Sequence, residues 1–169
     1  GGYVAAIRAA QLGFNTACID ENEVFGGTCL RVGCIPSKAL LESSHLYHVT
    51  QSQLGQHGVQ VGSVGLDLSA MLARKDKVVS QLTGGVTMLL KRNKITAYRG
   101  RGKLSSVDTV AVETAEGPLE IRAKHIVLAT GSRPATMRGV EYDGDRIGDS
   151  TTALNYPEVP KRLVVIGGG

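Results

Sequence analysis

The sequence predicts an α/β fold, and three observations carry that prediction. A glycine-led segment with helical spacing of apolar residues, 3–12, is followed by a short apolar run that ends in an acid, Asp20. Two long stretches, 36–56 and 66–93, repeat apolar residues at three- and four-residue spacing, as long helices do. A run of short alternating segments broken by glycine, 95–122, reads as a small antiparallel meander. With 169 residues, 42% of them hydrophobic and 20% charged, the chain is long enough for one modest domain with its own core.

Taken in order, residues 3–12 form an amphipathic helix that Gly13 stops, and 15–19 form a strand ending at Asp20. A helix preceded by glycines and followed by a strand with a terminal acid is the second half of a dinucleotide-binding unit. Gly2 would be the third motif glycine, where helix and strand pack closely, and Asp20, 18 residues later, the ribose-binding carboxylate. The helix 36–56 is expected to bury Ala39, Leu40, Leu46 and Val49, with Pro36 at its first position, where a missing N–H costs nothing. His45, His48 and His57 read as hydrogen-bonded surface residues. A glycine-rich connection, 55–65, leads to the second long helix, with Leu68, Met71, Leu72, Val78, Val79, Leu82, Val86, Leu89 and Leu90 on its apolar positions. Gly84 and Gly85 weaken that helix by roughly 1 kcal/mol each, so close packing or a kink is expected there. After the meander, 125–128 reads as a buried parallel strand whose carboxyl end, Thr130, Gly131 and Ser132, is where such folds bind ligands. Residues 162–166 form a last strand that runs into Gly167, Gly168 and Gly169.

Composition narrows the function. Net charge is +4, and the basic run Lys91, Arg92, Lys94, Arg99, Arg101 and Lys103 has no interleaved aromatics, so it reads as a solvated face and not a nucleic-acid groove. No apolar segment approaches the ~20 residues that cross a bilayer. Three cysteines do not make a disulfide framework, and Cys18, inside an apolar run, reads as an inert core residue. Cys29 and Cys34 differ. With four residues between them, a disulfide closes a small ring that stabilises a fold by only about 2 kcal/mol on the chain-entropy model. Small flanking residues open the backbone for a planar cofactor, and Cys34 falls near a helix N-terminus, whose dipole favours a thiolate. Reversible redox chemistry, a structural disulfide and half of a zinc site all remain open on spacing alone.

The stretch from Gly26 to Lys38, G-G-T-C-L-R-V-G-C-I-P-S-K, closely resembles the redox-active segment of the flavin disulfide reductases, G-G-T-C-x-N-V-G-C-x-P-S/K-K. The continuation Ile35-Pro36-Ser37-Lys38-Ala39-Leu40-Leu41 looks like the dihydrolipoamide dehydrogenase branch of that family. One departure stands out: Arg31 occupies a position where the family often has Asn. The resemblance implies a truncated Rossmann-like FAD-binding domain with a small meander and two long helices. It implies a redox-active disulfide of Cys29, the outer thiol, and Cys34, the inner one. FAD would be held by Gly2, Asp20, Gly26, Gly27, Thr28, Lys38, Gly102, Thr130, Gly131 and Ser132, and NAD by Gly167 and Gly169, the first two glycines of a second motif.

The domain boundaries so implied are 1–148 for the FAD-binding domain and 149–169 for a linker and the first strand of an NAD-binding domain. Both ends fall inside a motif, so the sequence is expected to be part of a longer gene product. The implied activity is oxidation of protein-bound dihydrolipoamide with NAD⁺. The implied partners are lipoyl domains of 2-oxo acid dehydrogenase complexes or of the glycine cleavage system, and a second copy in a homodimer. The setting would be bacterial cytoplasm or the mitochondrial matrix. The family's catalytic histidine is expected beyond this stretch. Two rival readings are another flavin disulfide reductase, of the mercuric or glutathione reductase kind, and a non-enzymatic metal-binding or redox-sensing module. No resident metal site is expected.

Overall fold

The computed structural model describes residues 1–167, so Gly169 lies outside the described residues. The order of elements is α1 (Gly2–Gln11), β1 (Ala17–Asp20), α2 (Gly27–Val32), α3 (Cys34–Ser52), a 3₁₀ turn (Leu54–His57), α4 (Leu68–Arg92), β2 (Thr96–Arg99), β3 (Arg101–Leu104), β4 (Thr109–Thr114), β5 (Gly117–Arg122) and α5 (Ser150–Ala153). The chain folds into two compact units. One comprises Gly1–Arg31 and Ser80–Arg133; the other comprises Val32–Val79 and the part from Pro134 onward.

The first unit holds a core of Ala6, Phe25, Val86, Leu90 and Ile95, with Tyr3, Ile7, Ala10, Cys18 and Leu30 packed against it. α1 offers Tyr3, Ala6, Ile7 and Ala10, the three- and four-residue spacing of one helix face. Gly13 ends it with φ +90°, a left-handed residue one step past the cap, and Phe14 N–H bonds back to Ala9 C=O at 3.1 Å. β1 then pairs in parallel with β2, Asp20 opposite Arg99. The meander is β3-β4-β5, antiparallel throughout. Alternation sorts its residues: Leu104, Val110, Val112, Leu119 and Ile121 share one face, while Arg101, Lys103, Glu113 and Glu120 share the other. Arg101 stands opposite Glu113 in the register. The whole basic run lies at exposed positions.

In the second unit the front half of α4 lies beside α3. Arg74 donates to Ala39 C=O at 3.0 Å and pairs with Glu42. α5 starts at an N-cap, Asp149, whose Oδ1 accepts from Thr151 N–H (2.8 Å) and Thr152 N–H (3.1 Å). No described helix is long and apolar enough to cross a membrane.

Several expectations need correction. The strand expected at 125–128 does not form: the segment has no neighbour in a ladder, and Val127 is 73% exposed. The strand expected at 162–166 is likewise unpaired, with Ile166 70% exposed. Apolar composition makes a segment compatible with a strand, but only a hydrogen-bonding partner makes it one. The meander begins at Arg101 and not at 95, because β2 is taken by β1. Leu46 is 60% exposed, since α3 turns Pro36 and Ala39 inward instead. Leu82 and Leu89 are exposed too; Val86 and Leu90 carry the buried face of α4. Gly84 and Gly85 sit in one continuous helix, and a Cβ on either would meet nothing, so neither close packing nor a break accounts for them.

Leu90 is 2% exposed at the centre of the first unit's core. Leu90→Ala should lower stability by about 3 kcal/mol in urea unfolding. A loss below about 1 kcal/mol would mean the core is centred elsewhere.

Candidate functional site

Cys29 and Cys34 are disulfide-bonded, and Cys18 is a free thiol. The two bonded cysteines occupy different elements. Cys29 is the third residue of α2, a short helix that periodicity does not announce. Cys34 is the first residue of α3, 19 residues long, with Gly33 as its N-cap. Pro36 is therefore the third helical residue and not the first, still within the turn whose N–H groups have no helical acceptor. Ser37 Oγ donates to Cys34 C=O at 3.0 Å. Both cysteines and Lys38 lie at exposed positions.

The backbone before Cys29 is shaped by glycine. Gly26 is buried at φ +154°, and a Cβ there would stand 2.6 Å from Leu30 Cδ2, so no other residue fits without shifting α2. Gly27 follows at φ +69° with open space beside it. Phe25, 3% exposed, fixes this turn to the core from the other side. Thr28 is exposed at the front of α2.

The first unit brings further expected residues together. A Cβ on Gly2 would lie 3.4 Å from that of Ala129, so the start of α1 abuts the segment that continues into Thr130, Gly131 and Ser132. Gly131 has φ +72°, with nothing within reach of a Cβ. Asp20 ends β1, where its Oδ1 accepts from the backbone N–H (3.0 Å) and side-chain amide (2.7 Å) of Asn22. Gly102 on β3 faces Ile19, which would meet its Cβ at 3.4 Å, and so lies against the strand that ends in Asp20. Gly167, at φ +88°, belongs to the second unit, as do Cys34 and Lys38.

Some features escape sequence reasoning. Arg31 does not simply point into solvent: its Nε is buried without a hydrogen-bond partner among the described residues. Such an atom is uncommon, because an unpaired buried donor is costly. Its position between the cysteines was the available signal. Lys75 is 3% exposed on α4 and was hidden in an ordinary-looking charged stretch. A groove of about 920 Å³ runs along the back half of α4 past Tyr3, Leu30, Leu82, Gly85 and Met88, and contains none of the residues expected at the site.

Cys18 differs in kind from the bonded pair. Burial pushes its thiol above the usual range, and the carboxylate of Asp20 pushes the same way. The folded state then holds the proton more tightly than the unfolded chain does. The stabilising contribution is complete below the ordinary thiol range and is lost as pH rises through the raised value. Iodoacetamide at pH 8 should label Cys18 of the native protein more slowly than a free cysteine, and unfolding should abolish the difference. Equal rates in the folded and unfolded protein would contradict the burial effect.

Comparison with known proteins gives a consistent picture. The family model described as pyridine nucleotide-disulphide oxidoreductase matches residues 1–169. The chain is 53% identical over 170 residues to a mitochondrial dihydrolipoyl dehydrogenase of Pisum sativum, covering all of this chain and 34% of that protein. It is 52% identical over 170 residues to a leghemoglobin reductase of Glycine max, covering all of this chain and 32% of that protein. Among solved structures, an HOCl-induced flavoprotein disulfide reductase from Escherichia coli superposes with TM-score 0.73 at 29% identity, over 94% of this chain and 33% of that one. The chain thus spans about a third of the length of these relatives.

Proposed function

Because the chain belongs to the pyridine nucleotide-disulphide oxidoreductase family, we propose that it is the disulfide-bearing part of a dihydrolipoyl dehydrogenase. The observation that carries this reading is the disulfide of Cys29 and Cys34 set between a glycine turn and the first residue of a long helix. The identity to the pea relative favours the lipoyl branch. In this reading residues 1–148 are the FAD-binding domain, and 149–169 are the linker and the start of the NAD-binding domain.

The residues present suit a dinucleotide. Gly27 and Gly131 leave open backbone where a Cβ would otherwise stand. The Gly2–Ala129 approach and the Asp20 carboxylate belong to the same unit, and Arg31 Nε is a buried donor without an acceptor among the described residues. Gly2, Asp20, Gly26, Gly27, Thr28, Lys38, Gly102, Thr130, Gly131 and Ser132 would hold FAD. Gly167 and Gly169 would begin the nicotinamide site. When bound, FAD supplies the exchange of an electron pair between a dithiol and NAD⁺.

The chain's own part is thiol–disulfide exchange. One thiolate of dihydrolipoamide attacks Cys29 Sγ, forming a mixed disulfide and breaking the Cys29–Cys34 bond. Cys34 leaves as a thiolate, and its place at the start of α3 puts the positive end of the helix dipole beside it. The second substrate thiol then attacks the mixed disulfide and frees Cys29. Lipoamide disulfide departs, and the protein pair is left two electrons reduced. The donors would be lipoyl domains of 2-oxo acid dehydrogenase complexes or the glycine cleavage system, acting on a homodimer in bacterial cytoplasm or mitochondrial matrix.

A second reading, another flavin disulfide reductase, has the weaker likeness: the Escherichia coli structure is 29% identical, against 53% for the pea relative. The metal-binding reading has less support, because Cys29 and Cys34 are bonded and not free to ligate. In the full-length polypeptide carrying this segment, Cys34→Ser should reduce NADH formation from dihydrolipoamide and NAD⁺ by at least about a thousandfold. Undiminished turnover would overturn the dithiol mechanism. Turnover of glutathione disulfide or Hg²⁺ with NADPH, without lipoyl activity, would select the second reading.

A further inference from the structure

Lys75 is a lysine almost wholly removed from water, 3% exposed, and it has no place in the dithiol chemistry. Its ammonium is not idle. Nζ donates to Leu154 C=O at 3.1 Å and to Asn155 Oδ1 at 2.5 Å, and it lies 3.1 Å from Asp76 Oδ1. Asp76 is the next residue on the same helix and is exposed. The two other acceptors, nearly eighty residues away, are the last residues of the α5 turn. That turn is fixed at its front by the Asp149 cap and at its back by Asn155, whose N–H bonds to Thr152 C=O at 2.9 Å. α5 has only four helical residues, too few to hold a shape alone. The segment after it, up to Gly167, makes no ladder hydrogen bonds. A buried ammonium is costly unless paired, so its acceptors are strongly constrained to stay where they are. Lys75, Leu154, Asn155 and Gly167 all belong to the same compact unit.

We propose that Lys75 is a positioning residue: it pins the 149–155 bridge to α4 and so sets where the segment leading to Gly167 begins. The proposal rests on the reading of that segment and its glycine turn as the start of the nicotinamide site. Lys75 therefore acts on NAD⁺ through the bridge and touches neither substrate nor the cysteines.

The test uses the full-length polypeptide with FAD bound. In Lys75→Met, amide hydrogen exchange over 149–155 should accelerate about tenfold while α3 keeps its protection. KM for NAD⁺ should rise about tenfold, and reduction of the bound flavin by dihydrolipoamide without NAD⁺ should stay within about twofold. Lys75→Arg should restore part of both effects, since it keeps a buried donor. Asn155→Ala, at an exposed residue, removes one acceptor without emptying the buried site and should move both readouts in the same direction. It decides the matter alone if Lys75→Met does not fold. Unchanged exchange over 149–155 would overturn the anchoring, and accelerated exchange with unchanged KM would overturn the positioning role. A wild-type polypeptide that cannot use NAD⁺ would overturn the nicotinamide reading, while the exchange experiment would still decide whether Lys75 holds the bridge.

Discussion

Phe25 is the side chain through which the first unit's core meets the turn that carries Cys29. It is buried against Ala6, Val86, Leu90 and Ile95, contributed by α1, by the back half of α4 and by the turn into β2. Burying a side chain of that size contributes about 2–3 kcal/mol. It thereby fixes the backbone immediately before Gly26 and Gly27. Those glycines take conformations other residues adopt only with strain, and a strained turn persists only when its surroundings over-determine it. Here the surroundings are Phe25 on one side and Leu30, itself packed against the core, on the other. Cys29 is thus presented at an exposed position by a turn braced by the buried Phe25 and the half-buried Leu30.

The second unit solves its positioning problem with charge. Arg74 and Lys75 are consecutive on α4 and grip different segments: Arg74 reaches Ala39 and Glu42 on α3, and Lys75 reaches Leu154 and Asn155. They are not equivalent. The Arg74–Glu42 pair is exposed, and such pairs contribute about 0–1 kcal/mol. Lys75 is buried, and removing its partners would leave a desolvated cation, which costs several times more. The exposed contact steadies a helix that already has its own hydrogen bonds, whereas the buried one holds a short turn that has few.

What could be read from the sequence follows from the same physics. The helix–strand–acid order at the start, the three- and four-residue spacing in α4 and the alternation in β4 and β5 are local patterns, and the structure keeps them. The family of the cysteine segment was legible from its motif residues, Gly26 to Lys38, whereas spacing alone left redox, structural and zinc readings open. The misses are non-local. Nothing in 125–128 or 162–166 says whether a partner strand lies alongside, and β2 left the meander because β1, some eighty residues earlier, pairs with it. Leu46 reads as core by composition, but the facing element decides which side of α3 is covered. The burial of Lys75 depends on a loop seventy-nine residues away, a separation no window of sequence spans.

The three cysteines show how far environment outweighs residue type. Cys18 lies on a strand beside the core, where desolvation and the Asp20 carboxylate both oppose its thiolate. A thiol held protonated is a poor nucleophile, so it can sit in the same unit as Cys29 without competing in the proposed exchange. Cys34, by contrast, opens a 19-residue helix at an exposed position and is bonded to Cys29. Forming a thiolate at Cys18 is opposed by the same burial that seats β1 against the core and by the Asp20 carboxylate that ends the strand. In the proposed exchange, preference for the Cys29–Cys34 pair over Cys18 would therefore come from the fold, through the packing of β1 against the core around Leu90 and Phe25.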